Sequence, residues 1–144
     1  MIRSAHAGRF ELVLIASLAA TGCGNNVATV PVSGSVVFRD GTSPQFGSVE
    51  LESDDRQFTA KGKIERDGSF VLSTFQNGDG AVVGKHRAIV MQLVISDGVS
   101  KTQHHHGHTV HPKHAKYETS GLQAEVAPDG PNRLTLAVEA APSR

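Results

Sequence analysis

Histidine is the residue whose spacing in this chain could do chemistry. Six of the eight histidines fall within residues 103–114, QHHHGHTVHPKH. Successive side chains alternate in an extended backbone, so His104, His106 and His108 would line one face. His105 sits among them. His111 and His114 follow three apart, with Pro112 between them opposing a helix. Neutral imidazole is a ligand for zinc, copper and nickel. The candidate metal site is therefore His104, His105, His106, His108, His111 and His114. No cysteine joins them, and the nearest carboxylates in sequence are Asp97 and Glu118. Such rings, unperturbed near pKa 6.5, would also gain charge together as pH falls. The competing reading is a solvated polar loop in which histidine is compositional.

Little else suggests reaction chemistry. No GxSxG, HExxH, Walker A or GxGxxG pattern occurs, so the chain reads as a non-enzyme. Asp54-Asp55 and the NGDG stretch at residues 77–80 lack the alternating ligands of a calcium loop and read as turns. His86, between Lys85 and Arg87, reads as structural or solvent-facing. Fourteen basic and fourteen acidic side chains balance without a basic cluster, which excludes an electrostatic footprint for nucleic acid. The absence of tryptophan argues against an aromatic sugar platform.

The elements that must position the histidines begin after a leader. Arg3 and Arg9 precede a nine-residue apolar run at residues 12–20. That run is too short to span a bilayer, which takes about 20 residues, and it reads as a secretory signal over residues 1–22. AATGC, residues 19–23, resembles a bacterial lipobox, with Ala20 where leucine is usual. Lipidation would explain Cys23, the single cysteine of an exported chain. Removing residues 1–22 takes away Arg3, Arg9 and Glu11, leaving 12 basic and 13 acidic side chains. Residues 23–30 then form a short tether. The seven after the cysteine reach about 25 Å at most, so the membrane, through Cys23, is one expected partner. The domain at residues 31–144 is long enough to bury a core without disulfides.

Within that domain the apolar period is two, as half-buried strands require. Val32, Gly34, Val36 and Phe38 share a face, as do Val49 and Leu51, and Phe58, Ala60, Gly62 and Ile64. KIERDGSFVL reads as a hairpin with a primed turn at Asp67-Gly68, placing Phe70 and Leu72 together. HRAIVMQLVI, residues 86–95, is apolar on both faces in its middle and reads as a central strand. Leu122, Ala124 and Val126, then Leu134, Leu136 and Val138, close the chain after the histidines. Seven strands and no amphipathic helix predict an all-β, seven-stranded antiparallel β-sandwich.

The order of these pieces resembles the planctomycete-type small lipoproteins with a carboxypeptidase regulatory-like, or transthyretin-like, domain. The resemblance runs through VPVSGSVVFRDGTSPQFGSVEL, GKIERDGSFVLSTFQNGDGAVVGKHRAIV and KYETSGLQAEVAPDGPNRLTLAV. It implies a prealbumin-like sandwich tethered to the cell envelope and no catalytic residues. The chain departs from the pattern at residues 103–114. The expectation is thus a lipid-anchored envelope protein acting as a structural or protein-interaction module, with an envelope protein as partner. The alternative is a periplasmic metal-binding lipoprotein using the loop at residues 104–114.

Overall fold

The computed structural model describes residues 27–92 and 108–142. Cys23, His104, His105 and His106 lie outside the described residues. The described chain is all-β apart from a 3-10 turn at Pro112–Ala115 and the short helix α1, Tyr117–Ser120. The strands are β1 Thr29–Val30, β2 Val32–Phe38, β3 Gly47–Ser53, β4 Thr59–Ile64, β5 Ser69–Val71, β6 Ala81–Val82, β7 Gly84–Met91, β8 Leu122–Val126 and β9 Asn132–Val138. They form three sheets, in the orders β1-β6, β5-β2-β9 and β4-β3-β7-β8.

Alternation explains the core. Val49 and Leu51 of β3 are buried while Glu50 and Glu52 face out. Val32, Val36 and Phe38 of β2 meet Phe70, Leu136 and Val138 from the same sheet and Val49, Leu51, Ile64 and Val90 from the other. Each such side chain removed from water contributes about 1.5–3 kcal/mol. Gly34 makes room for this packing, because a Cβ there would lie 2.3 Å from the Leu134 carbonyl oxygen and 2.6 Å from the Phe70 ring. As its two apolar faces suggest, β7 is interior, between β3 and β8. Its outward Ile89 is buried too, because Pro112–Ala115 and α1 pack against this strand.

The structure differs from the sequence reading in four places. First, β2 and β9 pair in parallel, Val32 with Asn132 through Phe38 with Val138. Alternation fixes which side chains face inward but carries no strand direction. Second, the Asp67-Gly68 turn is not primed. Only Gly68 has positive φ, at 85°; Gly68 N–H bonds Glu65 O, and Glu65 N–H bonds Ser69 O. This is the three-residue loop with a glycine bulge; its flanks meet in hairpin register, Glu65 with Ser69 and Lys61 with Ser73, while β4 and β5 themselves belong to different sheets. Third, the last two residues of the expected tether are β1, which pairs with β6. Fourth, β6 lies in a stretch read as a turn; two residues show no period.

Register gives the molecule two ends. β2 and β9 run together from the end where the described chain begins, here called proximal, to the distal end. β5 returns antiparallel to β2. The turn at 65–68 therefore puts the end of β4 distally, with the start of β3 and the end of β7 beside it. Proximally lie Val27, the β3–β4 turn, the loop from β5 to β6, and the β8–β9 turn. Distally lie Asp40, Phe46, Gln92, His108 and Glu139. A seven-residue strand separates the ends by about 20 Å.

Candidate functional site: the distal histidine cluster

His108, His111 and His114 return the chain to the distal end, each in a different role. Val110 pairs with Ala140 in an isolated bridge, and Val110 N–H donates to Gln92 Oε1 at 2.7 Å. These contacts bind the connection to both the end of β7 and the extension of β9.

His114 is 3% exposed. Its Nε2 receives the Glu139 N–H at 3.1 Å, and its Nδ1 lies 3.0 Å from the Ser120 carbonyl. An amide can only donate, so Nε2 carries the lone pair; a carbonyl can only accept, so Nδ1 carries the proton. Both nitrogens of the neutral ring are thus engaged. Burial, the largest influence, holds its pKa below the usual histidine value. Ligating a metal through Nε2 would require breaking the bond to Glu139.

His111 stands at the N-cap of the Pro112–Ala115 turn, with Pro112 in the first turn. Its Nδ1 accepts Lys113 N–H at 3.1 Å, and its own N–H bonds the Glu139 carbonyl at 2.8 Å. Pro112 has no N–H to lose here, so the turn starts cleanly after a capping ring.

His108 is the exposed member. Its Nε2 lies 3.2 Å from an Asp40 carboxylate oxygen, and its ring meets Phe38 edge-on at 5.8 Å. Phe38, Arg39, Asp40, His108, Glu139 and Ala140 line an open cleft of about 360 Å³. Asp40 accepts the Thr42 hydroxyl and N–H, at 2.6 and 2.9 Å, which hold its carboxyl below the usual range. Glu139 takes Lys113 Nζ at 2.8 Å and Arg39 at 3.3 Å; the Lys113 contact keeps its pKa low as well. The cleft therefore offers two ionised carboxylates, one guanidinium and one imidazole, the last backed by the buried Phe38.

Sequence reasoning missed Asp40 and Glu139. Asp40 stands in RDGTSP, which reads only as a turn, and Glu139 is one outward residue among many. Their meeting depends on the parallel β2–β9 pair, which brings Phe38 opposite Val138. Asp54, Asp55 and Asp79 sit in turns, as read from sequence; the carboxylates of Asp55 and Asp79 accept nearby hydrogen bonds, and the Asp54 N–H donates to the Lys85 carbonyl. His86 is structural and buried: Nε2 lies 2.8 Å from the Val82 carbonyl, and burial lowers its pKa.

Two other polar groups bear on the choice of site. On the outer face of β3 and β7, Arg87 pairs with Glu52 and lies 5.1 Å over the Tyr117 ring. Burial, with Glu50 and Glu52 nearby, pushes the Tyr117 hydroxyl up to about 12. A wider cleft of about 570 Å³ along β7 and β8 sets Lys85 and Arg87 against Asp54 and Glu125, a balance that selects neither sign of ligand. Among the described residues no three metal-ligating side chains converge. The chain matches no protein-family model, no curated protein and no solved structure.

Proposed function

We propose that the chain is an exported, lipid-anchored, non-catalytic interaction module, held at Cys23 in the bacterial envelope and built on a transthyretin-like sandwich. The seven longer strands, three in one sheet and four in the other around one core, support the sandwich reading. The observation that carries the functional reading is the separation of the two ends. Val27 follows Cys23 by four residues at the proximal end, while the cleft of Phe38, Arg39, Asp40, His108 and Glu139 opens at the distal end. A short anchor would thus present that cleft, with its mixed charge, away from the membrane toward an envelope protein. Such a surface recognises a partner by complementary charge.

The test is site-specific photocrosslinking in the producing cell. A photoreactive residue at Ala140 should give one discrete envelope-protein adduct, and Asp40→Ala with Glu139→Ala should remove it. No adduct, or equal labelling from Asp129 at the other end, would overturn the reading.

One observation favours a second reading, binding of zinc, copper or nickel. A carboxylate on one ring nitrogen orients a histidine and strengthens its other nitrogen as a ligand, and His108 has that partner in Asp40. Further ligands would come from His104, His105 and His106. Calorimetric titration with each metal, beside a variant with these four histidines changed to alanine, decides it. Binding lost in the variant supports a metal site; binding that is absent or unchanged removes it.

A further inference from the structure

Five large apolar side chains stand exposed among the described residues: Val27, Phe46, Val71, Phe75 and Val83. Four of them share the proximal end. Val27 leads into β1, and the β1–β6 register sets Val83 beside Ala28. Val71 ends β5, level with Ser33 near the start of β2. Phe75 is on the loop from β5 to β6, edge-on to Phe58 at 6.0 Å. The fifth, Phe46, is distal and carries the Arg66 guanidinium 5.8 Å from its ring.

The exposure of Phe75 is built rather than accidental. The Asp79 carboxylate accepts the N–H groups of Thr74, Phe75 and Gln76, at 2.7, 2.9 and 2.9 Å. Thr74 Oγ1 closes the loop onto the Gly80 carbonyl at 2.7 Å. The loop is thereby fixed while its aromatic residue remains 57% exposed and Val71 58%. Apolar side chains left exposed at one end of a domain are candidates for a covering partner.

We propose that this proximal face, made by Val27, Val71, Phe75 and Val83, rests on the lipid bilayer. The inference depends on the membrane-anchor reading of Cys23. Four residue steps lead from Cys23 to Val27 and reach at most about 14 Å when extended. A chain anchored there cannot lift its proximal end beyond that distance, so the bilayer is the surface these side chains meet first. Charge indicates the kind of lipid. Asp54, Asp55, Asp79, Glu125 and Asp129 outnumber Arg56, Lys85 and Arg133 at this end, so anionic headgroups repel it and burial of apolar side chains holds it down. The docked surface is zwitterionic, and docking is insensitive to salt.

Chemical anchoring separates the two ideas. The full-length chain is produced in a bacterial host and purified from membranes, and the mass of its N-terminal peptide reports whether Cys23 is acylated. That measurement tests the anchor alone. The protein is then held on phosphatidylcholine vesicles through its own lipid or, lacking one, through a maleimide lipid on Cys23, its only thiol. The chain has no tryptophan, so Phe75→Trp and Phe46→Trp each give a single fluorophore. Emission from Phe75→Trp should shift to the blue and be quenched by a headgroup spin label, while Phe46→Trp is unaffected. Phosphatidylglycerol in the vesicles should weaken the Phe75→Trp shift. Unshifted emission at both positions, or equal quenching at both, would overturn the docking inference whatever the state of Cys23.

Discussion

Replacing His114 with alanine tests whether this histidine is a strut or a spare ligand. The substitution removes two hydrogen bonds, to Ser120 O and from Glu139 N–H. Each contributes about 1 kcal/mol net, and each leaves behind a backbone group that must find another partner. The ring is also buried, and the space it vacates costs about another 1 kcal/mol. The sum is about 3 kcal/mol. For a domain of this size each kcal/mol moves Tm by about 4 °C, so the midpoint should fall by about 12 °C. Thermal unfolding followed by far-UV circular dichroism measures this directly, with His108→Ala as the comparison. His108 is exposed, and its loss should stay within about 0.5 kcal/mol, or about 2 °C. Equal small shifts for both variants would refute the structural role of His114 and return it to the set of candidate ligands. pH supplies a second readout. The folded pKa of His114 lies below the unfolded value near 6.5, so the unfolded chain takes up protons first. The stability from the neutral ring is complete above about pH 6.5 and is lost as pH falls through the folded pKa. His86 acts in the same direction. Wild-type Tm should therefore fall below about pH 6.5, and His114→Ala should flatten part of that slope.

Gly34→Ala should cost about 1–3 kcal/mol, read as a lower urea midpoint, because the new methyl meets the Leu134 carbonyl and the Phe70 ring. An unchanged midpoint would mean that β2 and β9 separate more easily than their seven-residue register implies. Asp79→Ala should speed hydrogen exchange at the amides of Thr74, Phe75 and Gln76 while leaving β3 and β7 protected. Protection that persists in the loop would show that the carboxylate does not hold it. On the lipid-anchor proposal, Cys23→Ala should move the protein from the membrane to the soluble fraction; unchanged fractionation refutes that proposal.

Much of the fold is legible in period-two patterning. Val49 and Leu51 against Glu50 and Glu52 identify β3, and the doubly apolar centre of residues 86–95 announces an interior strand. What alternation lacks is direction and partnership. Arg133, Leu134, Thr135 and Leu136 read the same whether β9 runs with β2 or against it; only the closed chain decides. The site is less legible for the same reason. QHHHGHTVHPKH stands out by composition, yet composition treats His108, His111 and His114 alike. The structure gives one to the solvent, one to a turn and one to the interior, because Glu139 N–H waits 25 residues away from His114. No local signal marks that amide, nor the Asp40 carboxylate that meets His108.

The parallel β2–β9 pair has a mechanical consequence. These strands bracket the described domain in sequence, lie side by side, and run the same way. A load applied through the segment before β2 and the segment after β9 pulls them lengthwise past each other. The hydrogen bonds of the ladder then share the force together, instead of opening one at a time as in a peeled hairpin. The connection at Val110–Ala140 lies at the loaded distal end, while β1 and β6 lie at the other. Stretched from end to end, the molecule should give way first at the two-residue β1–β6 pair and resist at the long ladder, behaving as a stiff rod with a yielding collar.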